Sequence, residues 1–229
     1  MTEIMGHRGA KSECKENTMA AFQKAVELDA CGIETDVHML YDGSLVMYHD
    51  TVIKEANESL YKFDGESISS CIRDIVFFEE FLKYYSETGK LLNIEIKDES
   101  GFCTDIGEKT MALLQKYNMK DNCIISCFNH YILRDIKQKY PDWKVGALYW
   151  KSCEKDMVSY CKEYGIDAVH PHYTDVDRDF VEKCHEAGIM VNVWTVNTKA
   201  DLLKMRDIEV DIIMTDNIPL AKQIYETNK

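Results

Sequence analysis

The sequence predicts an α/β fold: a (β/α)8 TIM barrel with a small hairpin and loop insertion after the second strand. Eight short apolar runs alternate with eight amphipathic segments from one end of the chain to the other. No glycine-rich dinucleotide loop or phosphate loop accompanies them, as an open doubly wound sheet would lead one to expect. The length of 229 residues falls slightly short of the ~250 typical of such barrels.

Strands are expected over 3–6, 32–37, 91–97, 123–127, 144–148, 168–170, 190–194 and 211–214. Helices are expected over 18–28, where Met19, Phe22 and Val26 recur at helical spacing, and over 106–117, with Met111, Leu114 and Tyr117. The remaining helices fall at 75–85, 131–139, 154–164, 178–187, 199–205 and 219–226. Gly89, Gly165 and Gly188 supply stop signals after three of them. Asp42-Gly43 between the runs 38–41 and 45–48 marks a hairpin. The stretch 50–71 is polar and weakly periodic and reads as a loop or small excursion over one end of the barrel. The chain 1–229 thus reads as one domain, with 38–75 the hairpin and insertion over the mouth.

Composition narrows the function. Twenty-seven basic against 40 acidic side chains give a net charge of -13, which repels phosphate backbones and argues against nucleic-acid partners. Hydrophobic residues at 45% with 10% aromatics suit a packed core. No apolar run approaches the ~20 residues of a membrane span, so no stable membrane anchoring is expected. Residues 1–10, MTEIMGHRGA, lack the basic and apolar regions of a secretory signal. Nine cysteines, an odd number without a CxxC pair, fit reduced thiols in the cytoplasm.

Alternation in the strands brings chemistry to one face. Residues i and i+2 share a side, so Gly32, Glu34 and Asp36 face one way and Ile33, Thr35 and Val37 the other. The next strand places Asn93, Glu95 and Lys97 on one face against Leu92, Ile94 and Ile96. The apolar faces suit the helix layer, which turns three carboxylates and a lysine inward. Three buried carboxylates need positive charge that Lys97 alone does not supply. A divalent cation does so, and oxygen-only ligation favours Mg2+ or Ca2+, with Mn2+ as a third option.

The first strand runs into Gly6-His7-Arg8-Gly9-Ala10 at the barrel end where active sites lie. His7 can exchange a proton near neutrality and Arg8 can grip a phosphate oxygen. His49, with Asp50 after it, arrives at the same mouth and pairs with His7 as a candidate general acid and base. Asn17 or Thr18 is expected to cap the first helix, His38 to sit at the start of a turn in solvent, and His170 and His172 to line the pocket. Trp194 is either pocket wall or core.

Taken together, His7-Arg8-Gly9, Glu16-Asn17-Thr18, Glu34-Thr35-Asp36-Val37, Asp42-Gly43, His49-Asp50 and Glu95-Ile96-Lys97 resemble the glycerophosphodiester phosphodiesterase family. Ser126-Cys127-Phe128, Trp194-Thr195-Val196-Asn197 and Thr215-Asp216 continue the likeness more weakly. The resemblance implies a TIM barrel and a divalent cation held by Glu34, Asp36 and Glu95. It also implies His7 and His49 as the acid/base pair, Arg8 and Lys97 on the phosphate, and Trp194 in a pocket-facing segment. A small-molecule glycerophosphodiester would be cleaved to glycerol 3-phosphate and an alcohol. The chain departs from the family at Lys15, where a proline often stands, and lacks the arginine usual after His49-Asp50. Rival readings are a lysophospholipase D-type activity on lysophospholipids and a non-catalytic phosphodiester-binding barrel.

Overall fold

The computed structural model describes residues 2–98, 105–150 and 156–226. In chain order the elements are β1 (Glu3–His7), α1 (Met19–Glu27), β2 (Gly32–Met39), β3 (Leu45–Met47), β4 (Val52–Ile53), β5 (Glu58–Ser59), α2 (Gly65–Cys71), β6 (Val76–Phe77), α3 (Phe78–Tyr85) and β7 (Leu91–Ile96). They continue with α4 (Ile106–Lys116), β8 (Cys123–Cys127), α5 (His130–Lys139), β9 (Lys144–Tyr149), α6 (Met157–Tyr164), β10 (Ala168–Pro171), α7 (Arg178–Glu186), β11 (Met190–Val193), α8 (Lys199–Asp207), β12 (Ile212–Thr215) and α9 (Ile218–Glu226).

Eight of these strands close a parallel ring: β1, β2 and β7 to β12 pair in sequence, and β12 returns to β1. The expected strands all occur, within two residues at either end. Their outward faces pack on the helices in one core, where Ile33, Val37 and Ile94 meet Phe22, Phe81 and Leu114. Inside the ring Met5, Ile124, Ile212 and Met214 form a separate small cluster. Layered filling of this kind makes the barrel interior solid below its mouth.

Helix starts follow from capping chemistry. Thr18 Oγ1 accepts from Ala21 N, Asp177 from Phe180 N and Thr198 from Asp201 N, each satisfying a first-turn N–H. Asp156 caps α6, so that helix begins three residues later than the 154 expected; residues 154–155 themselves lie outside the described residues.

The insertion holds more structure than its weak periodicity suggests. β2 continues past the point where β1 leaves it, and β3 pairs with it antiparallel, Val37 opposite Met47 and Met39 opposite Leu45. The turn between them is a three-residue loop closed by Leu40 N on Ser44 O, with Gly43 at φ 86. Asp42 accepts from Ser44 N and from Gly65 N, tying the hairpin to the start of α2. The stretch 50–71 contains the β4–β5 hairpin, a 3-10 turn at Leu60–Lys62 and α2, rather than loop alone. Leu40, Val46, Ile53, Leu60, Ile68 and Ile72 form its own apolar cluster. Val76 and Phe77 pair with β3, so α3 starts at Phe78 instead of 75, because two β-formers meet an open strand edge there.

Among the described residues, seven cysteines are free, and no helix is long and apolar enough to cross a membrane. Cys103 and Cys153 lie outside the described residues.

Candidate active site

Strand register fixes the site. His7 stands opposite Glu34 in the β1–β2 ladder, and Asp36 stands opposite Glu95 in the β2–β7 ladder. Parity turns all four toward the barrel axis. One oxygen from each of Glu34, Asp36 and Glu95 lies within 4.8 Å of the others.

Two cations are interleaved with the three acids. Lys97 Nζ lies 2.6 Å from Glu95 Oε1 and 3.2 Å from Asp36 Oδ1. Arg8 Nε lies 3.4 Å from Asp36 Oδ2, while its NH1 donates to Glu16 Oε1 at 2.8 Å. The backbone makes room for this: Arg8 has φ 55, Gly9 has φ 86, and Arg8 N donates to Glu34 Oε2 at 3.0 Å. A side chain at Gly9 would drive its Cβ to 2.7 Å from the Ala21 carbonyl carbon, so glycine lets the loop lie against α1.

The charges do not balance. Burial, with the charges of Asp36 and Glu95, raises the Glu34 carboxyl well above the usual range. Burial also raises Glu95, against the opposing pull of Lys97, to about 7. Burial acts on Asp36 in the same direction, but Lys97 and Arg8 outweigh it and hold that carboxylate below its ordinary value. Asp36 Oδ1 accepts no hydrogen bond and has only the ion pair with Lys97. Two fixed cations thus leave a deficit among three converging acids, and an oxygen-only donor set with that deficit fits a hard divalent cation. Glu34, Asp36 and Glu95 are the residues able to hold it.

The two histidines sit differently. His7 is largely buried, and its Nδ1 lies 2.7 Å from Asp216 Oδ1. A carboxylate only accepts, so Nδ1 carries the proton and Nε2 is left facing the acids, 3.9 Å from Glu34 Oε2. Burial lowers the His7 pKa, with Arg8 adding to the effect, despite the opposing bond to Asp216. His49 follows β3, is about one-third exposed, and bonds through Nδ1 to Asp50 Oδ1 at 2.7 Å. Its carbonyl lies 3.2 Å from His38 Nε2.

His38 is fully buried rather than at a solvent turn. β2 runs on through Met39 and the insertion covers it, with Tyr61 Oη 3.1 Å from His38 Nδ1. Asn17 is not the cap of α1 either. It has φ 54, donates to Asp36 Oδ2 at 2.9 Å and accepts from Thr35 Oγ1 at 2.8 Å. His170 and His172 do not line the cavity. His170 lies inside the ring in the space Gly146 leaves, where a Cβ would meet Nε2 at 2.3 Å. His172 caps the turn Tyr173–Asp175 and packs behind Trp150 and Trp194.

A cavity of about 480 Å³ opens over the acids. His7, Arg8, Glu34, His49, Glu95 and Lys97 form its charged side, and Phe128, Trp150 and Trp194 its aromatic side. Trp194 is therefore cavity wall, anchored by its indole N–H on His170 O at 2.8 Å. Asp36 lies buried behind the lining. Sequence reasoning named Asp216 and Asn17 in the family likeness but gave neither a role in the site. For Asp216 the signal is topological: the last strand of a closed barrel must end beside the first.

The family described as the glycerophosphoryl diester phosphodiesterase family matches residues 7–220. A protein named glycerophosphodiester phosphodiesterase from Caldanaerobacter subterraneus subsp. tengcongensis is 36% identical, the match covering 94% of each chain. Among solved structures, a glycerophosphodiester phosphodiesterase from Parabacteroides distasonis superposes with a TM-score of 0.87 at 23% identity, covering 100% of this chain and 98% of that one. An Oleispira antarctica phosphodiesterase in complex with the product sn-glycerol-3-phosphate superposes with a TM-score of 0.86 at 21% identity, covering 99% and 96%.

Proposed function

The chain belongs to the glycerophosphoryl diester phosphodiesterase family, and from that premise we propose that it hydrolyses glycerophosphodiesters to glycerol 3-phosphate and an alcohol with a resident divalent cation. It is a phosphoric diester hydrolase. The observation that carries the reading is the convergence of Glu34, Asp36 and Glu95 within 4.8 Å, under a cavity rimmed by two histidines.

A divalent cation at the three acids supplies Lewis-acid stabilisation of charge building on the phosphoryl oxygens. The chain's own residues do the rest. Arg8 and Lys97 hold the phosphate in a site that would otherwise repel it. His7, neutral and fixed through Nδ1 by Asp216, takes a proton at Nε2 from the attacking water, or from the glycerol 2-hydroxyl on a route whose cyclic phosphate water then opens to glycerol 3-phosphate. His49 gives a proton to the departing alkoxide as the P–O bond breaks, and Asp50 steadies its imidazolium. The pairing follows from environment: His7 is buried with a lone pair facing the acids, while His49 lies at the wetter rim beside a carboxylate.

Release of glycerol 3-phosphate from glycerophosphocholine, glycerophosphoethanolamine and glycerophosphoglycerol is the test, with Mg2+, Ca2+ or Mn2+ restored in turn. EDTA is expected to abolish turnover, and EDTA-resistant turnover rejects the cation. His7→Ala and His49→Ala are each expected to cut turnover ~10²–10⁴-fold with unchanged circular dichroism. Full activity in both variants rejects the acid/base assignment.

A further inference from the structure

We propose that the aromatic side of the cavity, Phe128, Trp150 and Trp194 with Asp98, is the subsite for the leaving alcohol and selects a cationic amino-alcohol of the choline or ethanolamine type. The inference rests on the phosphodiesterase reading and extends it to the choice of substrate.

The rings leave much apolar surface open. Phe128 is 41% and Trp150 52% exposed, although both lie over a cavity in which full burial would be favourable. They are not loose. Phe128 and Trp150 are nearly parallel, 16° apart with centroids at 6.0 Å, and Trp194 stands across both at 88° and 78°. His172 stacks on Trp150 at 5.9 Å and is itself backed by Tyr173 at 4.6 Å. The result is a right-angled aromatic corner held from behind.

Charge decides what the corner takes. Among the described residues, the basic and imidazole groups lining the cavity, His7, Arg8, His49 and Lys97, come from the ends of β1, β3 and β7, whereas the rings follow β8, β9 and β11. Among the described residues, the carboxylate that reaches the rings is Asp98, which accepts from Asn129 Nδ2 at 2.8 Å, next to Phe128 in the chain. Ring faces carry negative quadrupole density, and with a carboxylate beside them they attract an ammonium group and disfavour an anionic one. The glycerol arm carries hydroxyls that seek polar partners, and those are on the charged side. The second arm of the diester is then directed to the corner. A long acyl chain would gain from the rings but would have to desolvate Asp98 and Asn129.

Two measurements test this. In the first, kcat/KM for glycerophosphocholine should exceed that for glycerophosphoglycerol by about tenfold. Trp150→Leu and Asp98→Asn should each bring the ratio toward one. An equal ratio in the unmodified protein, a ratio unchanged in both variants, or faster cleavage of lysophosphatidylcholine than of glycerophosphocholine would overturn the proposal. The second needs no turnover. Tetramethylammonium chloride, against sodium chloride at equal ionic strength, should change tryptophan emission saturably, and Phe128→Leu should weaken the response. A saturable response in a protein that cleaves no diester supports the subsite and rejects the phosphodiesterase reading. Turnover without preference and without that response rejects the subsite and leaves the phosphodiesterase reading standing.

Discussion

His7 and His49 face one cavity, but different parts of the molecule hold them. His7 belongs to the closed ring: it ends β1 and is clamped by Asp216, which lies 209 residues later and beside it only because the barrel closes. His49 belongs to the insertion: its imidazole bonds to the next residue, and its backbone is held by His38, which Tyr61 in turn supports. The contrast teaches that one of the two histidines proposed for proton transfer is positioned by global topology and the other by a local excursion with its own small core.

Asp216→Asn is expected to break the ring side most severely. Asn197 holds the remaining oxygen, so the new amide turns its NH2 toward Nδ1, reverses the His7 tautomer and should reduce turnover by ~10²–10⁴-fold in steady-state assays. Near-normal turnover would show that the clamp is dispensable.

Both regions carry a pH liability, since burial lowers His38 to about 4 and His170 further. Burial pushes the His170 pKa down to about 3, whereas an unfolded histidine titrates near ~6.5. The folded state therefore binds fewer protons, so this contribution is complete above about pH 6.5 and is lost as pH falls toward 3, by up to about 5 kcal/mol. Thermal denaturation between about pH 7 and about pH 4 should show the decline, and His170→Gln should flatten it. An equally steep decline in that variant would move the liability elsewhere.

On the insertion side, His38→Leu removes the donor to the His49 carbonyl. A buried hydrogen bond of this kind is worth ~1–3 kcal/mol once its partner is left unsatisfied, so kcat should fall roughly 10–100-fold with little change in KM. His38→Gln, which keeps a donor at similar reach, should recover most of the loss. If KM rises and kcat holds, His38 shapes binding rather than His49. The smallest effect is expected for Asp50→Asn. That pair is partly solvated, and such pairs contribute at most about 1 kcal/mol, so turnover should change less than about tenfold. A loss as large as that of Asp216→Asn would erase the distinction between the two regions.

Much of the ring was legible because periodicity and parity are local. Alternation in 32–37 and 91–97 places Glu34, Asp36, Glu95 and Lys97 inside, and the structure brings these four together. The same parity places His38 inward beside Asp36. Reading it as solvent-exposed gave the turn precedence over the strand, whose extension depends on pairing with β3. Asn17 carries a capping signature and sits next to the true cap, so only the path of the Arg8-Gly9 loop reveals that it reaches Asp36. The insertion escaped because two-residue strands and a seven-residue helix are too short to show a period. Its order comes from Asp42, Asp64 and six buried aliphatic residues acting together.

That private core has a dynamic consequence. Leu40, Val46, Ile53, Leu60, Ile68 and Ile72 pack chiefly on one another, so the insertion that carries His49 can come loose as a unit while the barrel strands stay intact. Amide hydrogens in β4, β5 and α2 should exchange with deuterium well ahead of those in β1, β2 and β7. Because His49 follows β3, such loosening would displace His49 while His7 stays in register with β2.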